Sequence, residues 1–104
     1  MDYKVGLSDL ARADLAEAVR FMRAEGMSAE TIGRIGSELL DAALSLAILP
    51  RRGAPVRRRP GMRKLTYRHW LIFYQVDEAA RWVDVVRLWD GRKDPAGLRL
   101  EHIK

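Results

Sequence analysis

The chain has 104 residues, with 19 Lys+Arg against 14 Asp+Glu for a formal net charge of +5, 48% hydrophobic and 32% charged residues, and no cysteine. A single domain spanning residues 1–104 is expected, large enough to fold without staples, and the missing cysteines exclude disulfides, thiolate metal sites, iron–sulfur clusters and thiol nucleophiles. No run reaches the roughly 18 apolar residues of a membrane helix, and the opening Met1-Asp2-Tyr3-Lys4-Val5 lacks the basic-then-apolar pattern of a signal peptide, so a soluble, cytoplasmic protein with no membrane partner is expected.

Tyr3, Val5 and Leu7 alternate with Lys4 and Gly6, the period of a short half-buried strand. Ser8 then offers an oxygen to the free amides of a helix start, with Asp9 well placed against the helix dipole. Ala11, Leu15, Ala18, Val19 and Met22 form the apolar stripe of that helix, which Glu25-Gly26 ends. Ser28 restarts the pattern, and Ile32, Ile35, Leu39, Ala43 and Leu46 carry a second helix to Leu49-Pro50, where proline cannot supply the next amide. The short connection predicts an antiparallel helix hairpin. Gly33 and Gly36 lie inside the second helix, where each costs about 1 kcal/mol relative to Ala; close approach of the two helix backbones is their expected use.

From Met62 the grammar becomes that of strands. Arg63–Tyr67 reads as one and Trp70–Val76 as the next, central because both its faces are apolar. Asp77-Glu78-Ala79-Ala80 reads as a hairpin connection to a strand over Trp82–Trp89, which Asp90-Gly91 stops. Asp94–Leu100 reads as a short helical tail. Helices grouped ahead of a run of strands predict an α+β fold, β-α-α-β-β-β, with the helix hairpin covering one face of a mainly antiparallel sheet.

The excess charge is local. Residues 1–50 carry 5 basic and 8 acidic side chains, residues 51–70 carry 8 basic and no acidic ones, and residues 71–104 carry 6 of each. The basic block Arg51, Arg52, Arg57, Arg58, Arg59, Arg63, Lys64 and Arg68 is interrupted by Gly53, Pro55, Pro60 and Gly61 and runs straight into an apolar segment, so it reads as a loop anchored to the fold. Like charges held together face an acidic partner or phosphate, or else are simply solvated.

Enzyme chemistry finds few groups. Ser8, Ser28, Ser37 and Ser45 stand at helix starts or on helix surfaces, with no strained glycine turn beside any of them. His69 and His102 are the only histidines, too few for a metal centre, and no glycine-rich turn joins a strand to a helix; no metal and no cofactor are expected. His69, next to the arginine block, has the chemistry of a general base against a ribose hydroxyl, although a strand-end histidine usually packs its ring and bonds backbone. The aromatic residues Tyr67, Trp70, Phe73, Tyr74, Trp82 and Trp89 lie on strands with apolar neighbours, so core packing explains most of them, and Trp89, near Arg87, Arg92 and Lys93, is the one expected as a contact residue.

Pro55-Val56, Arg59-Pro60-Gly61-Met62-Arg63-Lys64-Leu65, Trp70–Val76 and Val83–Pro95, taken with Tyr3-Lys4-Val5 and Ala11, Asp14 and Leu15, resemble the RelE/ParE superfamily of bacterial toxins over nearly the whole chain. The resemblance implies the same α+β fold and a type II toxin–antitoxin system, in which the toxin forms a hetero-oligomer with a cognate antitoxin, ParD-like with an acidic C-terminal tail. RelE-like members cut messenger RNA on the ribosome, whereas ParE-like members poison DNA gyrase. Where the ribonuclease branch carries an arginine two residues into the apolar strand, this sequence has Leu71, and it lacks a clear terminal acid–base group. A missing cation weakens stabilisation of the charge building on a scissile phosphate, so the ParE-like branch is favoured. The resemblance gives Arg57, Arg58, Arg59, Arg63, Arg87, Trp89, Arg92 and Lys93 as expected contacts for target or antitoxin, with no catalytic residue; on the ribonuclease alternative the candidates are Arg63, Lys64, His69 and Arg92.

Overall fold

In the computed structural model, which describes residues 2–93 together with Leu98 and Leu100, β1 (Lys4–Leu7) leads into α1 (Asp9–Ala24) and α2 (Ala29–Leu44). Ser8 and Ser28 cap the two helices, accepting from the amides of Ala11 and Thr31. Between them Gly26 takes φ +85°, a left-handed conformation that an L side chain resists. One turn of 3₁₀-helix over Ser45–Ala47 continues α2, so the regular α-helix stops short of the expected Leu49.

Four strands follow: β2 (Ala54–Pro55), β3 (Met62–Tyr67), β4 (Trp70–Asp77) and β5 (Trp82–Asp90). They form one five-stranded sheet with β1, in the order β1-β5-β4-β3-β2. The β1–β5 pair is parallel and the others are antiparallel, so the sheet is mixed. β4, bounded by apolar residues on both faces, lies at the centre as its composition predicts. The two-residue β2 is an addition to the expected order: it is too short to show a period, and Pro55 has no amide to donate to a neighbour. The helical tail expected over Asp94–Leu100 lies, apart from Leu98 and Leu100, outside the described residues.

The main core lies between helices and sheet. Ala11, Leu39, Ala43 and Leu46 meet Trp70, Ile72, Tyr74, Val83, Val85 and Leu88, with Leu15, Ala18 and Val5 packed at the margin. The predicted stripe of each helix is thus the stripe that is buried. Gly33 and Gly36 correct the expectation placed on them, since a Cβ built on either meets nothing within 4 Å; the helix backbones do not approach at these positions.

A single irregularity decides what the other face of the sheet carries. The β4–β5 register shifts between Phe73 and Tyr74, which face Arg87 and Val85, leaving Val86 as an extra residue. Upstream Val83 and Val85 point at the helices, and downstream Leu88 does so, three positions later. The bulge resets the alternation. Val86 and Trp89 are thereby turned to the face away from the helices.

Beyond Leu7, β1 no longer covers the edge of β5, and α1 takes its place. The Ser8 hydroxyl donates to the Val86 carbonyl at 2.9 Å, and Asp14 accepts the Leu88 amide at 3.0 Å. Edge groups that a strand would satisfy are satisfied by helix side chains.

Candidate interaction surface

Away from the helices, the centre of the sheet is apolar. Met62, Phe73, Val86 and Trp89 are buried there beside Val56 and Leu71, and Leu98 and Leu100 of the tail pack on them. Lys64 pairs directly with Phe73 and so stands on this same face. Leu71 is one of the half-buried residues of the cluster.

At one end of the sheet the chain gathers His69, Trp89, Arg92 and Lys93. The β3–β4 hairpin turns through Arg68 and His69, with Arg68 at φ +56°, and the His69 carbonyl accepts the Gly91 amide at 2.6 Å. The His69 ring is exposed and tilted against Trp70 at 5.4 Å. Arg92 donates through Nε and Nη2 to both oxygens of Asp90, at 3.1 and 2.9 Å. Burial alone would raise the Asp90 carboxyl, but the bonds from the Arg92 side chain and backbone outweigh it and leave that carboxyl below the ordinary carboxylate range. The Lys93 ammonium lies 4.9 Å from the Trp89 ring centre, a cation–π distance. Trp89 itself is only 8% exposed, so its ring is first a packing residue.

The opposite end carries the arginine turn. β2 aligns Ala54 with Lys64 and Pro55 with Arg63. The chain then reverses through Arg57–Gly61, held by bonds from the Arg59 amide to Val56 and from the Met62 amide to Arg59, with Gly61 at φ +88°. Arg57 and Arg58 are exposed and Arg59 is half-buried, its Nε without a hydrogen-bond partner among the described residues. Between Asp41 and Asp77 the sequence has no acid. Accordingly, among the described residues none of Arg57, Arg58, Arg59 and Lys64 forms an ion pair. The length of β3, about 17 Å for five steps of an antiparallel strand, separates this turn from the His69 hairpin.

Two of the expected site residues have guanidinium groups already engaged within the fold. Arg63 pairs with Tyr74, toward the helix side, and its Nη1 donates to the carbonyls of Arg51 and Gly53 at 3.1 and 2.7 Å. Arg87 is 9% exposed and makes a two-pronged bond to Asp14 at 2.8 and 2.9 Å, which holds its guanidinium firmly in the charged form. The four ribonuclease candidates therefore do not converge: Arg63 ties down a loop, Lys64 stands mid-sheet, and His69 and Arg92 lie at the far end. Among the described residues no three metal-ligating side chains gather.

Sequence reasoning passed over a cleft of about 350 Å³ lined by Tyr3, Leu49, Pro50, Arg51, Arg52 and Glu78. Its signal was the aliphatic pair Ile48-Leu49, placed at the end of a helix whose regular turns stop earlier.

A family model described as ParE toxin of type II toxin-antitoxin system, parDE, matches residues 5–95. No curated protein matches the chain. Among solved structures, the chromosomal ParDE system from P. aeruginosa aligns with a TM-score of 0.70 and 17% identity, covering 83% of this chain and 92% of that one. The RelBE2 toxin–antitoxin complex from Mycobacterium tuberculosis aligns with a TM-score of 0.66 and 23% identity over 85% of this chain and 96% of that one. A mutant of the E. coli toxin RelE in the free state aligns with a TM-score of 0.62 and 17% identity over 88% and 86%. At these identities the likeness is one of fold, shared between ParE and RelE toxins.

Proposed function

The chain belongs to the ParE toxin family of type II toxin–antitoxin systems, and from that premise we propose that it arrests growth by binding and poisoning DNA gyrase in the cytoplasm, and that a cognate ParD-like antitoxin with an acidic tail silences it in a hetero-oligomeric complex. The dispersal of the cationic and titratable groups carries this reading. Phosphodiester cleavage needs a base, an acid and a charge stabiliser around one scissile bond. Here the sheet centre is aliphatic and aromatic, Leu71 is part of it, and the nuclease candidates are spread along the length of β3. A binder has no such requirement. It needs a rigid surface and complementary charge, and the arginine turn, seated on the β2–β3 ladder with Arg57, Arg58 and Arg59 in no ion pair among the described residues, supplies both.

A supercoiling assay with purified toxin and gyrase tests the proposal. Supercoiling should fall and cleaved DNA should accumulate with the enzyme. Unchanged supercoiling, with codon-specific cuts in translated messages after induction, would replace this reading by that of a ribosome-dependent endoribonuclease acting through Lys64, His69 and Arg92. Normal growth after induction without antitoxin would remove both.

A further inference from the structure

The loop after α2 is fastened at several points yet presents aliphatic side chains to solvent. The Ala47 carbonyl accepts the Tyr3 amide at 2.9 Å, and Arg52 bonds the Ser45 hydroxyl. Glu78 receives both the Tyr3 hydroxyl and the Arg51 guanidinium. Further on, the Gly53 amide donates to the buried Tyr74 hydroxyl at 2.9 Å, and Arg63 holds the Arg51 and Gly53 carbonyls. So tethered, the loop leaves Ile48 at 69% and Leu49 at 59% exposure, with Leu44 at 51% one turn earlier. These side chains contribute little to the core, and a loop required only for solubility gains nothing from them.

Charge narrows the choice of occupant. Arg51 and Arg52 line the cleft beside Leu49 and Pro50, and the Arg81 guanidinium lies 5.3 Å over the Tyr3 ring at its margin. Among the described residues Glu78 is the one acid in the lining, and it is already bonded to Tyr3 and Arg51. An apolar ledge under an arginine rim fits a segment with aliphatic side chains on one face and carboxylates beside them.

We propose that the Ile48–Arg52 ledge is an anchoring site for an acidic, apolar-faced segment of the antitoxin. The inference rests on the toxin reading above and adds a place to it, the loop that follows α2 and precedes the arginine turn in the chain. Because the loop is already fixed by its tethers, little ordering is needed on binding.

The test uses the full-length toxin and the protein encoded by the adjoining reading frame, with affinities measured by calorimetry. The double variant Ile48→Ser/Leu49→Ser should keep its circular dichroism spectrum and bind about tenfold or more weakly. Arg52→Glu should weaken binding as well, with a shallower dependence on salt. Cells expressing the double variant should stop growing even when the antitoxin is present. Binding by the double variant within about twofold of the parent overturns the ledge. So does concentration-dependent self-association of the parent that the double variant abolishes, which would make a second copy the occupant. If the parent toxin without antitoxin leaves growth unaffected, the toxin reading falls instead, while the calorimetry still decides the ledge.

Discussion

Asp14 fastens α1 to β5. Its carboxylate meets both prongs of Arg87 and also the Leu88 amide, at the edge that β1 leaves uncovered. Both partners are largely buried, with side-chain exposures of 11% and 14%. Removing one charge from such a pair strands the other without water, a penalty of about 3–5 kcal/mol. Asp14→Asn should therefore lower unfolding stability by roughly 3 kcal/mol in urea titrations, and Asp14→Leu combined with Arg87→Met should recover much of that loss. A double variant as unstable as Asp14→Asn would show that losing the edge bond to Leu88, which Asn can still accept and Leu cannot, costs as much as stranding the Arg87 charge. In the sequence Arg87 stands beside Trp89, Arg92 and Lys93 and reads as one of a basic group. Its bond to a residue 73 positions upstream is set by topology, which local charge does not record.

At the scale of elements, period and caps made most of the fold legible. Ser8 and Ser28 announce their helices, and the apolar stripes they start are the buried ones. The hairpin strands begin and end within a residue of the bounds their apolar runs predict. What escaped lacks a local signature. β2 is two residues long, the bulge at Val86 follows no turn residue, and the parallel pairing of β1 with β5 joins segments from opposite ends of the chain. Glycines show the same limit, because composition cannot distinguish a crowded one from an exposed one. A Cβ at Gly53 would fall 2.6 Å from the Tyr74 hydroxyl and 2.8 Å from the Lys64 carbonyl, whereas one at Gly33 meets open space. Gly33→Ala should stabilise the protein by up to about 1 kcal/mol through helix propensity, and Gly53→Ala should destabilise it by about 1–3 kcal/mol through overpacking. Equal effects of the two in thermal melts would contradict the packing described around β2.

For the whole molecule, the decisive quantity is where the charge stands relative to the core. The excess belongs to an acid-free stretch between Asp41 and Asp77, and folding sorts its cations by task. Arg63 ties a loop to β3, Arg51 meets Glu78, and Arg57 and Arg58 are left facing solvent on a turn fixed by Gly61. This sorting dictates which residues a charge-removal experiment should touch. Neutralising Arg63 disturbs the loop and confuses binding with folding. Replacing Arg57, Arg58 and Arg59 together by glutamine alters a surface that makes no ion pair among the described residues, so stability should stay within about 0.5 kcal/mol per substitution. Growth arrest should weaken sharply, and binding of gyrase should lose part of its salt dependence, because the cations that speed encounter are gone. Antitoxin affinity should change less than toxicity, since the ledge at Ile48–Arg52 is left intact. A triple variant that folds, is still bound by the antitoxin and kills as fast as the parent would show that the arginine turn does not touch the target, and would move the contact surface to the end of the sheet that carries Arg92 and Lys93.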